Sequence, residues 1–141
     1  MPTQQLLHDT YFKYAIAASG LSKDPTTKVG ACIVHPEHSQ FSTGYNGFPK
    51  GIFETAEKWQ RPLKYEYVRH AEENAVSFCP FDTHGCAIYV TLQPCHRCLG
   101  LLLQNNIKKV YYLEKYANLT MPDVWDDLAS YFDVLEHVPA K

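Results

Sequence analysis

The spacing of apolar residues changes period several times along the chain. From Gln4 to Ser19 apolar side chains recur every three or four residues, at Leu7, Tyr11, Tyr14, Ala15 and Ala18, which predicts an amphipathic helix ended by Gly20. Lys28 to Val34 (KVGACIV) and Ser42 to Tyr45 predict two strands, and the intervening HPEHSQ has the proline and polar residues of a hairpin turn, so the pair should be antiparallel. Asn46 to Pro62 mixes glycines, prolines and charges without a period, and is read as a long loop over a functional surface. Beyond it, His70 to Phe78 and Cys95 to Gln104 predict helices, and Ala87 to Thr91 and Ile107 to Leu113 predict strands. Strands alternating with short helices imply parallel pairing through right-handed crossovers. Met121 to Ser130 follows as a helix opened by Pro122, and Tyr131 to Leu135 as a last strand. Tyr65 and Tyr67, at strand-like alternate spacing, are read as core positions, with a wall for stacking a base as the alternative for one of them.

Composition bounds this picture without changing it. A chain of 141 residues with 45% apolar and 20% charged residues is one globular domain, 1–141. A net charge of −2 supplies no global positive field, which excludes polymeric nucleic acid as the expected partner but leaves room for a local basic cluster that holds one phosphate. No stretch approaches the roughly 20 apolar residues that cross a bilayer, and the first residues lack a basic region followed by an apolar run, so the expectation is a cytoplasmic protein with no membrane partner. Five unevenly spaced cysteines fit metal ligation in a reducing compartment better than a disulfide framework.

The chemistry concentrates in two fragments, His70-Ala71-Glu72 and Pro94-Cys95-His96-Arg97-Cys98. Cysteines three apart at a helix start share one face, and the helix N-terminus favours their thiolates. One imidazole and two thiolates suit Zn²⁺ and leave the fourth tetrahedral position to water, whose pKa then drops from about 15.7 toward about 7. Glu72 is the proton carrier. Residues two apart in an ideal helix point about 200° away from each other, so His70 and Glu72 can serve one metal only if His70 sits at or before the first helical turn. A closed structural zinc site would want a further ligand at matched spacing, and Cys32, Cys79 and Cys86 form no second C-x-x-C.

H-x-E followed by P-C-x-x-C is the pattern of zinc nucleobase deaminases. The chain resembles the deoxycytidylate deaminase family more specifically, through SKDPTTKVGACIV (22–34), GYNGFPKG (44–51), LKYEYVRHAEENAV (63–76) and GCAIYVTLQPCHRC (85–98). That resemblance implies a three-layer α/β/α fold around a mixed sheet and conversion of dCMP and water to dUMP and ammonia. It also implies a homo-oligomer, often a hexamer, and in regulated relatives a dCTP or dTTP effector held with help from the GYNGFPKG loop. Asn46 should then hydrogen-bond the sugar, with a buried amide capping a turn as the alternative, and the Ala71 backbone should meet the pyrimidine edge. Gly44 and Gly47 are expected to let that loop turn with positive φ.

A nucleoside monophosphate also needs cations, and Lys50, Arg61, Lys64 and Arg69 are the nearest by sequence. The chain departs from the commoner family pattern at Leu21, where an arginine often stands, at Glu73, and at Leu99-Gly100. The zinc chemistry survives these changes, while substrate and regulation are less fixed. Two alternatives therefore stand beside dCMP: a deaminase of another nucleoside, a modified cytosine nucleotide or tRNA adenosine, and a non-catalytic zinc-containing nucleotide-binding module. His96 is read as a surface residue and not as a fourth ligand.

Overall fold

A computed structural model describes residues 2–140. Its elements in order are α1 (Gln4–Ser19), β1 (Gly30–Val34), β2 (Phe41–Tyr45), α2 (Lys64–Tyr67), α3 (Ala71–Ser77), β3 (Ala87–Leu92), α4 (His96–Gln104), β4 (Lys109–Glu114), α5 (Pro122–Ala129) and β5 (Val134–His137). The strands form one sheet ordered β2-β1-β3-β4-β5. β1 pairs antiparallel with both β2 and β3, while β3, β4 and β5 run parallel, so the sheet is mixed as expected.

Alternation along the strands divides the core into two layers. Ile33, Ile88, Val90 and Val110 pack with Ala71 and Ala75 of α3 and Leu102 of α4. Cys32, Val34, Tyr89 and Tyr111 pack with Tyr11, Phe12 and Ala15 of α1. Helices thus cover both sheet faces, the three-layer architecture that the sequence resemblance implied. At about 25 cal/mol per Å² of buried apolar surface, these clusters are the main source of stability.

Close helix-to-sheet packing explains two glycines. A Cβ on Gly30 would lie 1.8 Å from the Ala15 carbonyl oxygen of α1, and one on Gly44 would lie 2.3 Å from the Ala75 nitrogen of α3. Gly44 is therefore needed for contact with the helix that carries the site. The positive φ expected at Gly44 and Gly47 falls instead at Gly51, at 85°.

Several boundaries differ from the sequence expectation for local reasons. The first helix buries His8, Tyr11, Phe12, Ala15 and Ala18, while Tyr14 sits at the flank, 38% exposed and stacked on Phe41. His8 belongs to the buried stripe because its Nδ1 meets the Tyr89 hydroxyl at 2.8 Å, a partner that periodicity could not supply. Tyr65 and Tyr67 are not in a strand but in the helical turn α2, and only Val68 and the following residues extend toward His70. The last strand begins at Val134, because Tyr131 and Phe132 donate their N–H groups to Leu128 and Ala129 and close the end of α5.

Candidate active site

Two helix starts meet at the carboxyl end of β3. His70 is the N-cap of α3 with φ −76° and ψ 157°, and Cys95 is the N-cap of α4 with φ −73° and ψ 169°. The extended backbone at His70 resolves the two-residue conflict. His70 stands outside the helix while Glu72, in its first turn, turns inward and is buried. Glu73 fixes this entry, since its carboxylate accepts from the His70 N–H at 3.0 Å and also pairs with Arg69. The glutamate that departs from the family pattern is thus a cap for the ligand-bearing turn.

The His70 Nδ1 lies 3.6 Å from Cys95 Sγ and 3.3 Å from Cys98 Sγ, and these three donor atoms are all within 4.8 Å of one another. Tetrahedral Zn²⁺ with ordinary bond lengths sets an N to S separation of about 3.6 Å. The donor set and its spacing therefore fit zinc, and three protein donors leave a fourth direction open. His96 contributes nothing to this cluster. It is half-buried beside a neighbouring cavity.

The site is electrostatically coupled. Hydrogen bonding to Cys95 raises His70 to about 9 against the opposing effect of burial, with the nearby Glu72 adding to the rise. Donation from Cys98 lowers Cys95 to about 3, and the same contact, with burial, raises Cys98. Without a metal the cluster thus behaves as a thiolate beside an imidazolium, and metal binding must displace protons. Burial raises Glu72 to about 7, partly offset by the positive charge on His70. A carboxyl group near neutrality can both take up and release a proton.

A cavity of about 180 Å³ opens beside these groups, lined by Asn46, Arg61, Lys64, Ala71, Glu72 and His70 among others. Four of the six sequence-predicted binding residues therefore gather at one place. Lys50 does not, since its Nζ lies over the Phe78 ring in a separate cavity. Arg69 does not line that cavity either; with its partner Glu73 it lines a separate one that His70 and Cys98 also border. Lys64 lines the cavity but is buried, with its Nζ 3.0 Å from Asp24 Oδ2. Arg61 is exposed, and among the described residues its guanidinium hydrogen-bonds only the Thr26 hydroxyl, at 3.5 Å.

Sequence reasoning missed part of the wall. Asp24, Gln93 and Tyr116 line the same cavity without a motif to mark them, while Tyr65, 58% exposed, forms another side and so follows the wall alternative and not the core position expected for it. Tyr116 is placed by its N–H, which donates to Gln93 Oε1 at 3.0 Å, and Gln93 N–H in turn donates to Glu114 O. Trp125 of α5 ties the adjacent wall to the cysteine-bearing segment by donating to Pro94 O at 2.8 Å. The proline before the first cysteine and the glutamine before it were the available signals, but their partners lie downstream and carry no motif.

A mixed sheet flanked by helices, with one histidine, two cysteines and a buried glutamate at two helix starts, defines the class of zinc-dependent deaminases. Residues 6–114 match the family described as the cytidine and deoxycytidylate deaminase zinc-binding region, and the chain belongs to that family. It is similar to a probable deoxycytidylate deaminase of Caenorhabditis elegans, 42% identical over 117 residues that make up 79% of this chain and 59% of that protein. The human deoxycytidylate deaminase is 40% identical over 114 residues, 75% of this chain and 64% of its own. The chain thus spans less than two thirds of the length of both relatives. The crystal structure of dCMP deaminase from the cyanophage S-TIM5 in complex with dCMP and dUMP superposes with a TM-score of 0.74 at 27% identity, covering 96% of this chain and 98% of that one.

Proposed function

We propose that this chain hydrolyses dCMP to dUMP and ammonia, with His70, Cys95 and Cys98 holding Zn²⁺ and Glu72 moving the protons. The observation that carries the reading is the burial of Glu72 against the His70, Cys95 and Cys98 cluster, at the floor of a cavity that also holds Asn46 and Arg61. Zinc, when bound, supplies the activation of water. Glu72 would take one proton from the attacking water and pass it to the ring nitrogen, then take the second from the hydroxyl added to the ring carbon and deliver it to the departing amine as the carbonyl forms, so one water is consumed and one ammonia leaves. Ala71, buried at the cavity floor, offers backbone to the pyrimidine edge, and Asn46 offers its side chain to the sugar. Arg61 is the phosphate contact, because among the described residues it has no carboxylate partner while Lys64 has one, and guanidinium pairs well with phosphate. A closed, non-catalytic zinc module has no use for a buried carboxylate beside three ligands.

Rates on dCMP, deoxycytidine, cytidine and single-stranded oligonucleotides test this reading. It requires dCMP to be the best substrate; an oligonucleotide or unphosphorylated nucleoside turned over faster would refute it. A cytoplasmic location is proposed because five unpaired cysteines suit a reducing compartment.

A second reading concerns regulation in a homo-oligomer, hexameric in the family pattern. Lys50 belongs to a cavity of about 310 Å³ lined by Gly44, Gly47 and Phe48 and separate from the Glu72 cavity, which favours an effector such as dCTP or dTTP over substrate as its occupant. Initial rates against dCMP, with and without dCTP and magnesium, test this: a sigmoidal curve made hyperbolic by dCTP supports it, and superimposable hyperbolas refute it. Sedimentation must show an assembly larger than one 16.1 kDa chain.

A further inference from the structure

Lys64, which lines the cavity with Glu72, is not free to meet an anion. Lys64 Nζ lies 3.2 and 3.0 Å from Asp24 Oδ1 and Oδ2 and 3.1 Å from Thr26 Oγ1, which accounts for all the donors of an ammonium group. The two charged side chains are only 4% and 3% exposed. A phosphate would have to break this pair and leave Asp24 buried without a counter-charge, a costly exchange.

The carboxylate that Lys64 holds organises its surroundings. Asp24 Oδ1 accepts from the Thr26 N–H at 2.9 Å and the Thr27 N–H at 3.1 Å, closing the turn, while Oδ2 accepts from Asn46 Nδ2 at 3.3 Å. The same Nδ2 donates to the carbonyl of Thr27 at 2.9 Å, and Asn46 Oδ1 accepts from the Val29 N–H at 2.8 Å. Turning the amide over would set its oxygen against a carboxylate and a carbonyl, and its NH₂ against an N–H. One orientation survives. Both amide hydrogens are then spent, and one lone pair of Oδ1 remains.

We infer that Lys64 is a positioning residue: through Asp24 it holds the turn that locks Asn46 as a hydrogen-bond acceptor at the cavity, so that the site selects a ligand whose sugar presents a donor hydroxyl. This rests on the deaminase reading for the identity of the ligand. It separates the two cations of the cavity, with Arg61 serving the phosphate and Lys64 serving the sugar at one remove.

The test is a ratio. dCMP and 2′,3′-dideoxycytidine monophosphate share base and phosphate, and only the first carries the 3′ hydroxyl donor. The wild-type protein should favour dCMP by up to roughly tenfold in kcat/KM, the loss expected when the hydrogen bond to the remaining lone pair of Oδ1 is not made. Lys64→Met should bring that ratio toward one. A Lys64 that touched phosphate would depress both substrates equally and leave the ratio unchanged, and this result would overturn the inference. If Lys64→Met fails to fold, the Asp24→Asn/Lys64→Met double variant removes both charges and must also lose the preference, because the one oxygen of an amide at position 24 cannot accept from the Thr26 and Thr27 N–H groups and from Asn46 at once; a wild-type ratio there overturns the inference too. The products dUMP and 2′,3′-dideoxyuridine monophosphate give the same ratio by equilibrium binding without turnover. Inactivity toward dCMP with the binding ratio intact would sink the deaminase reading and not this one, and equal wild-type affinity for both products would do the reverse.

Discussion

Two histidines, His8 and His70, sit on opposite sides of the sheet, and their neighbours drive them to opposite protonation states. His70 stands at a helix start, bonded to Cys95 and near Cys98 and Glu72, and its pKa rises to about 9. His8 lies inside α1 against the Tyr89 hydroxyl and the Tyr111 ring, and burial lowers its pKa despite the opposing charges of Glu136 and Asp9. Imidazole as such does not make a site. An open helix end, soft neighbours and a cavity do so at His70, whereas a neutral ring satisfied by a phenol does core work at His8.

The comparison breaks first at the cysteines. Replacing Cys98 with Ala should abolish zinc retention and with it all turnover, since two ligands make a weak site, whereas removing His8 should leave zinc content at one per chain. Metal analysis after dialysis reads both. Replacing Arg61 with Gln should raise KM for dCMP by roughly ten- to a hundredfold with little change in kcat, as the loss of a charge-assisted bond demands. Steady-state kinetics with dCMP and deoxycytidine distinguish this from general damage, because deoxycytidine should be unaffected.

His8→Phe should cost about 1–2 kcal/mol, as the Tyr89 hydroxyl loses its partner. It should also flatten the pH dependence of stability. With the folded pKa of His8 below its ordinary 6.5, the unfolded chain takes up the proton first, so stability is full above about 6.5 and declines as pH falls toward the folded value. Denaturant titrations at several pH values read that slope, and a variant with the same slope would show that His8 is not its source. The smallest effect belongs to Trp125→Phe, which removes the bond to Pro94 O at an expected cost of about 1 kcal/mol and should hasten zinc loss to a chelator several-fold.

The metal cluster was readable in the sequence because its parts occupy two short fragments with fixed spacing, and because the helical geometry of His70 and Glu72 demanded an N-cap histidine. The parallel pairing of β3 and β4 beside it followed from alternating strands and helices. The wall of the cavity was not readable in the same way. Asp24, Asn46 and Lys64 meet across loops that have no period, and nothing local says that a lysine beside the motif is spent on a carboxylate 40 residues away. Tyr65 and Tyr67 show the same limit: alternate spacing mimicked a strand where hydrogen bonds from Tyr65 to Pro62 and from Val68 to Lys64 wind a helical turn. Lys50 and Arg69 were grouped with the cavity by nearness in sequence, and the fold sends one to Phe78 and the other to Glu73.

Glu72→Gln tests the central claim most directly, because the amide preserves shape and removes only the proton carrier. Zinc content and dCMP turnover should be measured on the same sample. The account predicts one zinc per chain with turnover reduced at least about a thousandfold, within the range of a lost general acid and base. Wild-type-like turnover in a zinc-loaded Glu72→Gln protein would contradict it.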